Sequence, residues 1–392
     1  MKILYVSSAC SPKKYRKYVE SRGQRVQQQS QKYNQLLMEG LVAQTAEVVA
    51  VSSRPINRAL TSQVFFKGEK DFEKGIHYHY VPFLNLPVLR NVSVLLSVFF
   101  KVLTTKADKR NCALICDALN ISAAMASLAA AKLRGIKTVG IVTDVPCHRP
   151  NNQKIPLHEK INLKVMQKFD SYLLLTEQMS RVVNPKNRPY VVLEGHSDIA
   201  MKDRENSLQD KYSKQVCLYA GSLRRIYGIE NLVQGFVQAE IPHTELHVYG
   251  NGDYVEDLKK LSEKHENVKY LGIAPNETIV QEELKATLLV NPRPTNEDYT
   301  QYSFPSKNME YMASGTPVLT TCLPGMPKEY EPYVFLLRNE TAEGVRDMLK
   351  EIFAHTPEQL HQKGKDAKQF VMEQKNNVVQ AKKVLELVCE RD

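Results

Sequence analysis

Short apolar runs alternate with longer amphipathic segments along almost the whole chain, and that alternation leaves few ways to fold. "KILYV" (2–6), "EVVAVS" (47–52), "ALICD" (113–117), "KTVGIVTD" (137–144), "SYLLLT" (171–176) and "YVVLEG" (190–195) are rich in Val, Ile, Leu and Tyr. Most are apolar at successive positions, so a strand built from them needs cover on both faces. Helical segments are expected between them at 29–43, 120–134 and 158–168. Strands of this kind alternating with helices predict a doubly wound α/β domain with a parallel sheet.

The pattern then stops and starts again. Residues 199–215, "IAMKDRENSLQDKYSKQ", are polar, lack a strong period and read as a linker. After them come "VCLYAG" (216–221), "ELHVYG" (245–250), "VKYLG" (268–272), "TLLVN" (287–291), "PVLTT" (317–321) and "YVFLL". At 392 residues two domains are the default. The expected division is a first Rossmann-like domain over 1–198 and a second over 199–370, with a closing helix over 371–392 that packs back on the first. Two such sheets in tandem predict a central cleft, with ligands beyond the carboxyl ends of the strands.

Composition narrows the partners. An apolar fraction of 43% and a charged fraction of 24% are ordinary for a soluble globular protein. The 53 Lys and Arg against 43 Asp and Glu leave a net charge of +10, which favours anionic partners. No basic and aromatic residues interleave as in a nucleic-acid module, so nucleic acid is not expected. "MKILYVSSAC" has too short an apolar run for a signal peptide, and no stretch reaches the ~18–20 apolar residues of a membrane span. The seven cysteines are scattered; Cys112 and Cys116 have no partner pair, which disfavours zinc and suits free thiols in a cytoplasm.

Three stretches of the second half combine glycine turns, basic residues and helix starts. In "YAGSLRRIYGIENLVQGF" (219–236), Gly221 and Ser222 end a strand, Arg224 and Arg225 offer forked donors, and Gly228 precedes a helix. A strand-to-helix turn with solvated arginines is the other reading. In "VYGNGDYVEDL" (248–258), Gly250 and Gly252 make a shortened glycine turn, which alone is weak evidence. In "YSFPSKNMEYMASGTPVLTT" (302–321), Pro305 suits the first helical position and Ser303 suits the cap. The N–H groups of Ser306 and Lys307 would then face an anion, helped by the helix dipole and the Lys307 charge. Glu310, between Met309 and "YMA", is expected to face the cleft, where a carboxylate can accept two hydroxyl hydrogen bonds from a ribose.

Taken together over residues ~190–345, these stretches resemble the donor-binding domain of the retaining GT-B glycosyltransferases of family 4. The first half fits in texture only. The resemblance implies a GT-B fold and a metal-independent hexosyl transfer from a nucleotide-diphosphate sugar, a UDP-sugar, with retention and without a cofactor. The donor would lie on Gly221, Ser222, Arg224, Arg225, Gly250, Ser303, Phe304, Pro305, Ser306, Lys307 and Glu310. Glu310 takes the place of the second Glu of the family's E-x7-E motif, which binds the ribose. Eight residues earlier, where the family has its first Glu, this chain has Tyr302, with Glu297 and Asp298 nearby. The "FPSK…EYMASGTPV" variant looks like those of capsule and exopolysaccharide assembly, which implies a saccharide or lipid-linked acceptor. A sugar-nucleotide 2-epimerase and a catalytically degenerate binding protein are the alternatives.

In the first half, "VTDVPCHRP" (142–150) leaves a strand end with Asp144 and His148, residues placed to touch the acceptor or the transferred sugar as catalytic groups. Glu177 and the junction residues Glu194, His196 and Asp198 are weaker candidates, with capping as the other reading. "RNVSVLLSVFFKVLTTKADKR" (90–110) carries a narrow polar stripe of Ser93, Ser97 and Lys101 among apolar residues, flanked by cations. It reads as a core helix of the first domain or as a helix lying on an anionic membrane surface, the basic run at 12–32 supporting the latter. That second reading places a cytoplasmic protein peripherally on the inner face of the membrane.

Overall fold

Ile3, Leu4, Tyr5 and Val6 are fully buried, so the first strand is covered on both faces, as its unbroken apolar run demands. The computed structural model describes residues 1–22, 27–146 and 156–389. It divides into Met1–His196 with Asn377–Asp392, and Ser197–Asn376.

The first unit contains β1 (Lys2–Ser7), α1 (Pro12–Arg22), α2 (Gln28–Ala43), β2 (Glu47–Ser52), β3 (Phe65–Phe66), β4 (Glu69–Glu73), β5 (Ile76–Tyr80), β6 (Phe83–Leu84) and α3 (Leu89–Thr104). It continues with β7 (Cys112–Asp117), α4 (Ile121–Arg134), β8 (Lys137–Val142), α5 (Leu157–Met166), β9 (Ser171–Leu174), α6 (Ser180–Val183) and β10 (Tyr190–Val192). The main sheet runs β10-β9-β8-β7-β1-β2-β5-β4, parallel except for β4. The β4–β5 hairpin is absent from the sequence expectation. Its turn is Lys74-Gly75, with φ of 51° and 77°, as a tight hairpin of right-handed twist requires. Alternation in "IHYHY" matches its buried, exposed, buried pattern.

The second unit contains β11 (Gln215–Ser222), α7 (Ile229–Ala239), β12 (Thr244–Asn251), α8 (Val255–Lys264), β13 (Val268–Gly272) and α9 (Asn276–Lys285). β14 (Leu288–Asn291), α10 (Ser306–Ser314), β15 (Val318–Thr321), β16 (Phe335–Leu337), α11 (Ala342–Phe353) and α12 (Pro357–Gln374) follow. Its sheet is wholly parallel in the order β13-β12-β11-β14-β15-β16, the doubly wound arrangement with its switch between β11 and β14.

Two local expectations change. Residues 199–215 are no loose linker but a strap on the second unit, with Met201 and Tyr212 against its core. Lys211 Nζ donates to the carbonyls of Leu284 and Ala286 and to Thr316 Oγ1, and Asn206 donates to the Ser314 carbonyl. These are carbonyls at helix ends, which need outside donors. The last segment is also not one helix. α12 stops at Gln374, and a separate α13 (Asn377–Cys389) packs on α2 in the first unit.

Candidate functional site

The strand order reverses between β11 and β14, so the loops leaving these two strands part and open a crevice at their carboxyl ends. The register sets Gly221 opposite Gly250. Gly250 has φ of 140°, and a Cβ there would lie 1.8 Å from the Gly221 carbonyl oxygen. Gly228, with φ of 77°, starts α7, and its Cβ would lie 2.0 Å from the Pro292 carbonyl oxygen. The chain itself thus demands these glycines, because neighbouring loops close on them. A Cβ on Gly221 would meet the Tyr219 hydroxyl at 2.9 Å, and that hydroxyl donates to the Ser222 carbonyl at 2.8 Å.

α10 is pinned to the same strand ends. The Tyr311 hydroxyl accepts from the Ala220 N–H at 3.0 Å and donates to the Ala220 carbonyl at 3.2 Å. Burial raises this phenol well above its ordinary range, so it stays a donor. Asn291 donates to Asn308 Oδ1 at 2.7 Å, and Asn308 donates to Thr320 Oγ1 at 3.1 Å, all three residues buried. This relay ties α10 to β14 and β15.

The start of α10 differs from expectation by one residue. Pro305 is the N-cap, not the first helical position, and no side chain caps the helix. Ser303 instead ends the 3-10 turn Asp298–Tyr302. Phe304 is buried with its ring 5.1 Å from that of Tyr330, so it anchors the helix start. The N-cap residue thus contributes no side-chain acceptor to the positive end of the helix dipole. Lys307 Nζ lies 2.8 Å from Glu310 Oε2, one turn along the half-buried side of the helix. Tyr302 closes the preceding 3-10 turn, half-buried, while Glu297 and Asp298 are exposed at its beginning.

A residue the sequence reading missed completes the cluster. Arg293 leaves the carboxyl end of β14 and lies over the rings of Tyr227 (5.3 Å) and Tyr299 (5.1 Å). Its Nε is buried and has no hydrogen-bond partner among the described residues. Arg224 approaches the same Tyr227 ring at 5.8 Å. The two loops from the switch point thus converge on one tyrosine with two guanidinium groups. Arg225 is engaged elsewhere: Glu230 lies 2.7 Å from it, and Asp257 also pairs with it. The signal for Arg293 was a cation directly after a buried strand, "LLVNPR", which motif matching passes over.

In the first unit, Asp144 is exposed after β8 and accepts from the Val145 N–H at 2.8 Å. His148 lies outside the described residues. Glu177 accepts from the Tyr190 hydroxyl. Asp198, in the second unit, caps a 3-10 turn by accepting from the Ala200 N–H at 2.9 Å. His196 is buried against Tyr33, ring centroids 4.4 Å apart, and burial depresses it to about 3. Asp117, also missed by the sequence reading, ends β7 beside β1. It is 7% exposed, and burial pushes its carboxyl up to about 6.

Both units are Rossmann-like, and the fold is that of the GT-B glycosyltransferases. Sucrose-phosphate synthase (tll1590) from Thermosynechococcus elongatus matches with a TM-score of 0.68 at 15% identity, covering 99% of this chain and 98% of that one. Anabaena Alr3699/HepE, in complex with UDP, matches at 0.65 and 13% identity over 100% of both chains. The lipopolysaccharide outer core galactosyltransferase WaaB, in its apo form, matches at 0.63 and 15% identity over 99% of both. No curated protein matches by sequence. Residues 201–370 match the family described as glycosyl transferases group 1, so the second unit carries a glycosyltransferase group 1 domain.

Proposed function

We propose that the protein transfers a hexosyl group from a UDP-sugar to a saccharide or lipid-linked acceptor, with retention, as a family 4 enzyme of polysaccharide assembly. Its place in this reading is the cytoplasm, at an anionic membrane surface. The observation that carries the reading is the buried Nε of Arg293, without a hydrogen-bond partner among the described residues, at the switch point where Arg224 shares the Tyr227 ring with it. That UDP is bound in the HepE structure, and UDP-glucose in another HepE structure, supports the same donor class.

The leaving group is a nucleoside diphosphate, and its developing charge sets much of the barrier. Arg293, Arg224, Lys307 and the first N–H groups of α10 supply donors and positive potential for it, the task a metal would otherwise perform. The proposal therefore includes neither a metal nor a cofactor. Glu310 binds the ribose hydroxyls, and the diphosphate replaces it as the partner of Lys307. Exchanging a half-exposed pair costs at most about 1 kcal/mol. Asp144 and His148 are the proposed contacts of the acceptor or transferred sugar. The group 1 match favours transfer over epimerisation.

Thermal unfolding with UDP tests the reading. At about a hundred times its Kd, a ligand of the folded state adds about 2.7 kcal/mol, several degrees in Tm. Arg293→Ala should weaken UDP binding about tenfold or more, the worth of a lost charge-assisted hydrogen bond. Arg225→Ala should change it less than about threefold, because its acid partners already hold it. No shift with any nucleoside diphosphate rejects the reading. A shift without sugar transfer identifies the degenerate binding protein, with Tyr302 in place of the missing carboxylate.

A further inference from the structure

α3 is apolar on the face it turns to solvent. Val94, Val98 and Val102 form its buried side, which packs on α4. Leu89, Val92, Leu96, Phe100 and Leu103 recur at spacings of three and four on the opposite side and are 36–57% exposed. A surface helix ordinarily carries charged groups there. Here no charged residue occurs between Asn91 and Phe100. An apolar stripe of this size on a protein surface marks an interaction site.

The charges around the stripe say what it meets. Neither α3 nor α4 contains an Asp or Glu. From Leu89 to Lys137 there are eight Lys and Arg and two carboxylates, Asp108 and the buried Asp117. Arg134 donates to the carbonyls of Val102 at 2.7 Å and Ala107 at 3.1 Å, latching the ends of α3 and α4 together. Exposed Lys106, Lys109, Arg110 and Lys132 therefore gather at one end of the stripe, beside Leu133, which is 69% exposed.

We propose that this face of the first unit lies on an anionic phospholipid bilayer, α3 parallel to the surface. The apolar side chains enter the boundary between headgroups and acyl chains, and the cation cluster pairs with lipid phosphates. Among the described residues no helix is long and apolar enough to cross a membrane, and α3, 16 residues, lies along the surface instead. A second copy of the chain would cover the stripe but leave the cations without counter-charge, so lipid fits better. The proposal rests on the reading that the acceptor is membrane-borne, but its test involves no sugar transfer.

The full chain is sedimented with vesicles of phosphatidylcholine, alone or with about a third phosphatidylglycerol. Binding is expected with the anionic vesicles and should fall at high salt. The Leu96→Glu/Phe100→Glu variant should lose about tenfold or more in partitioning with unchanged Tm, since both side chains are exposed. Lys106→Glu/Lys109→Glu should lose about twenty-five-fold or more on anionic vesicles, each cation near the surface being worth about fivefold. Wild-type protein that does not sediment overturns the proposal, as does a Leu96→Glu/Phe100→Glu variant that binds like wild type. Equal binding to vesicles without phosphatidylglycerol overturns it too, as does a dimer that this variant abolishes. UDP stabilisation persisting in a protein that ignores vesicles would leave the donor reading standing and remove only the docking face.

Discussion

Arg293 and Asp117 occupy matching places, each at or just past the carboxyl end of the strand beside the first strand of its sheet. The acid carries a stability cost. The folded protein holds the Asp117 proton more tightly than the unfolded chain, about 6 against 3.8. Stability is therefore full below the unfolded value and lost as pH rises through about 6, by roughly 3 kcal/mol at neutral pH. Asp117→Asn should unfold at a higher temperature than wild type at pH 7 and converge with it near pH 4. Equal Tm values at pH 7 would remove the buried-charge account. His196 acts with the opposite sign: its depressed value gives stability above 6.5 that falls as the pH drops toward about 3. Residue types at these places were visible in the sequence, but their burial was not. Asp117 accepts from the Leu119 N–H at 3.1 Å as a turn-capping acid would, and nothing in "ALICDALN" tells that it is also buried. Arg224 and Arg225 make the same point, since adjacent arginines take different partners only once α8 brings Asp257 to one of them.

At the scale of elements, most strands and the major helices follow from local periodicity. α2 and α4 fall within a residue or so of their expected bounds. α10 was placed in sequence, but what holds it comes from elsewhere in the chain: Ala220, Asn291 and Thr320. Tyr311→Phe removes a hydroxyl that both accepts from and donates to Ala220, leaving buried backbone groups without partners. A loss of about 1–3 kcal/mol is expected. UDP affinity should fall with it, because the helix start shifts from the β11 turn. Chemical denaturation and UDP titration read the two effects, and a variant unchanged in both would show that the helix is held by packing alone. The 199–215 strap eluded periodicity for a related reason. Its polar side chains answer carbonyls at the ends of other helices, a relation with no local pattern.

At the scale of the molecule, the chain leaves its first unit at His196 and returns to it at Asn377. α13 gives Ala381, Val384, Leu387 and Val388 to the core around β1 and α2. Buried side chains contribute up to about 1.5–3 kcal/mol each when large, against a total stability of about 5–15 kcal/mol. A chain ending at Asn376 should therefore lose hydrogen-exchange protection across residues 1–196 and keep it across 197–376. Uniform protection would mean that α13 is dispensable. The sequence by itself determined the parallel, doubly covered strands at the centre of each sheet and the glycine and proline signals at their ends. Those depend on spacing along the chain, which periodicity reports. Only the tertiary structure decided that Arg293 joins Arg224 at a crevice, that a polar stretch is a strap, and that α3 shows an apolar face to solvent. Strand order and helix packing bring together residues far apart in sequence, and no local pattern records which distant residue will be the neighbour.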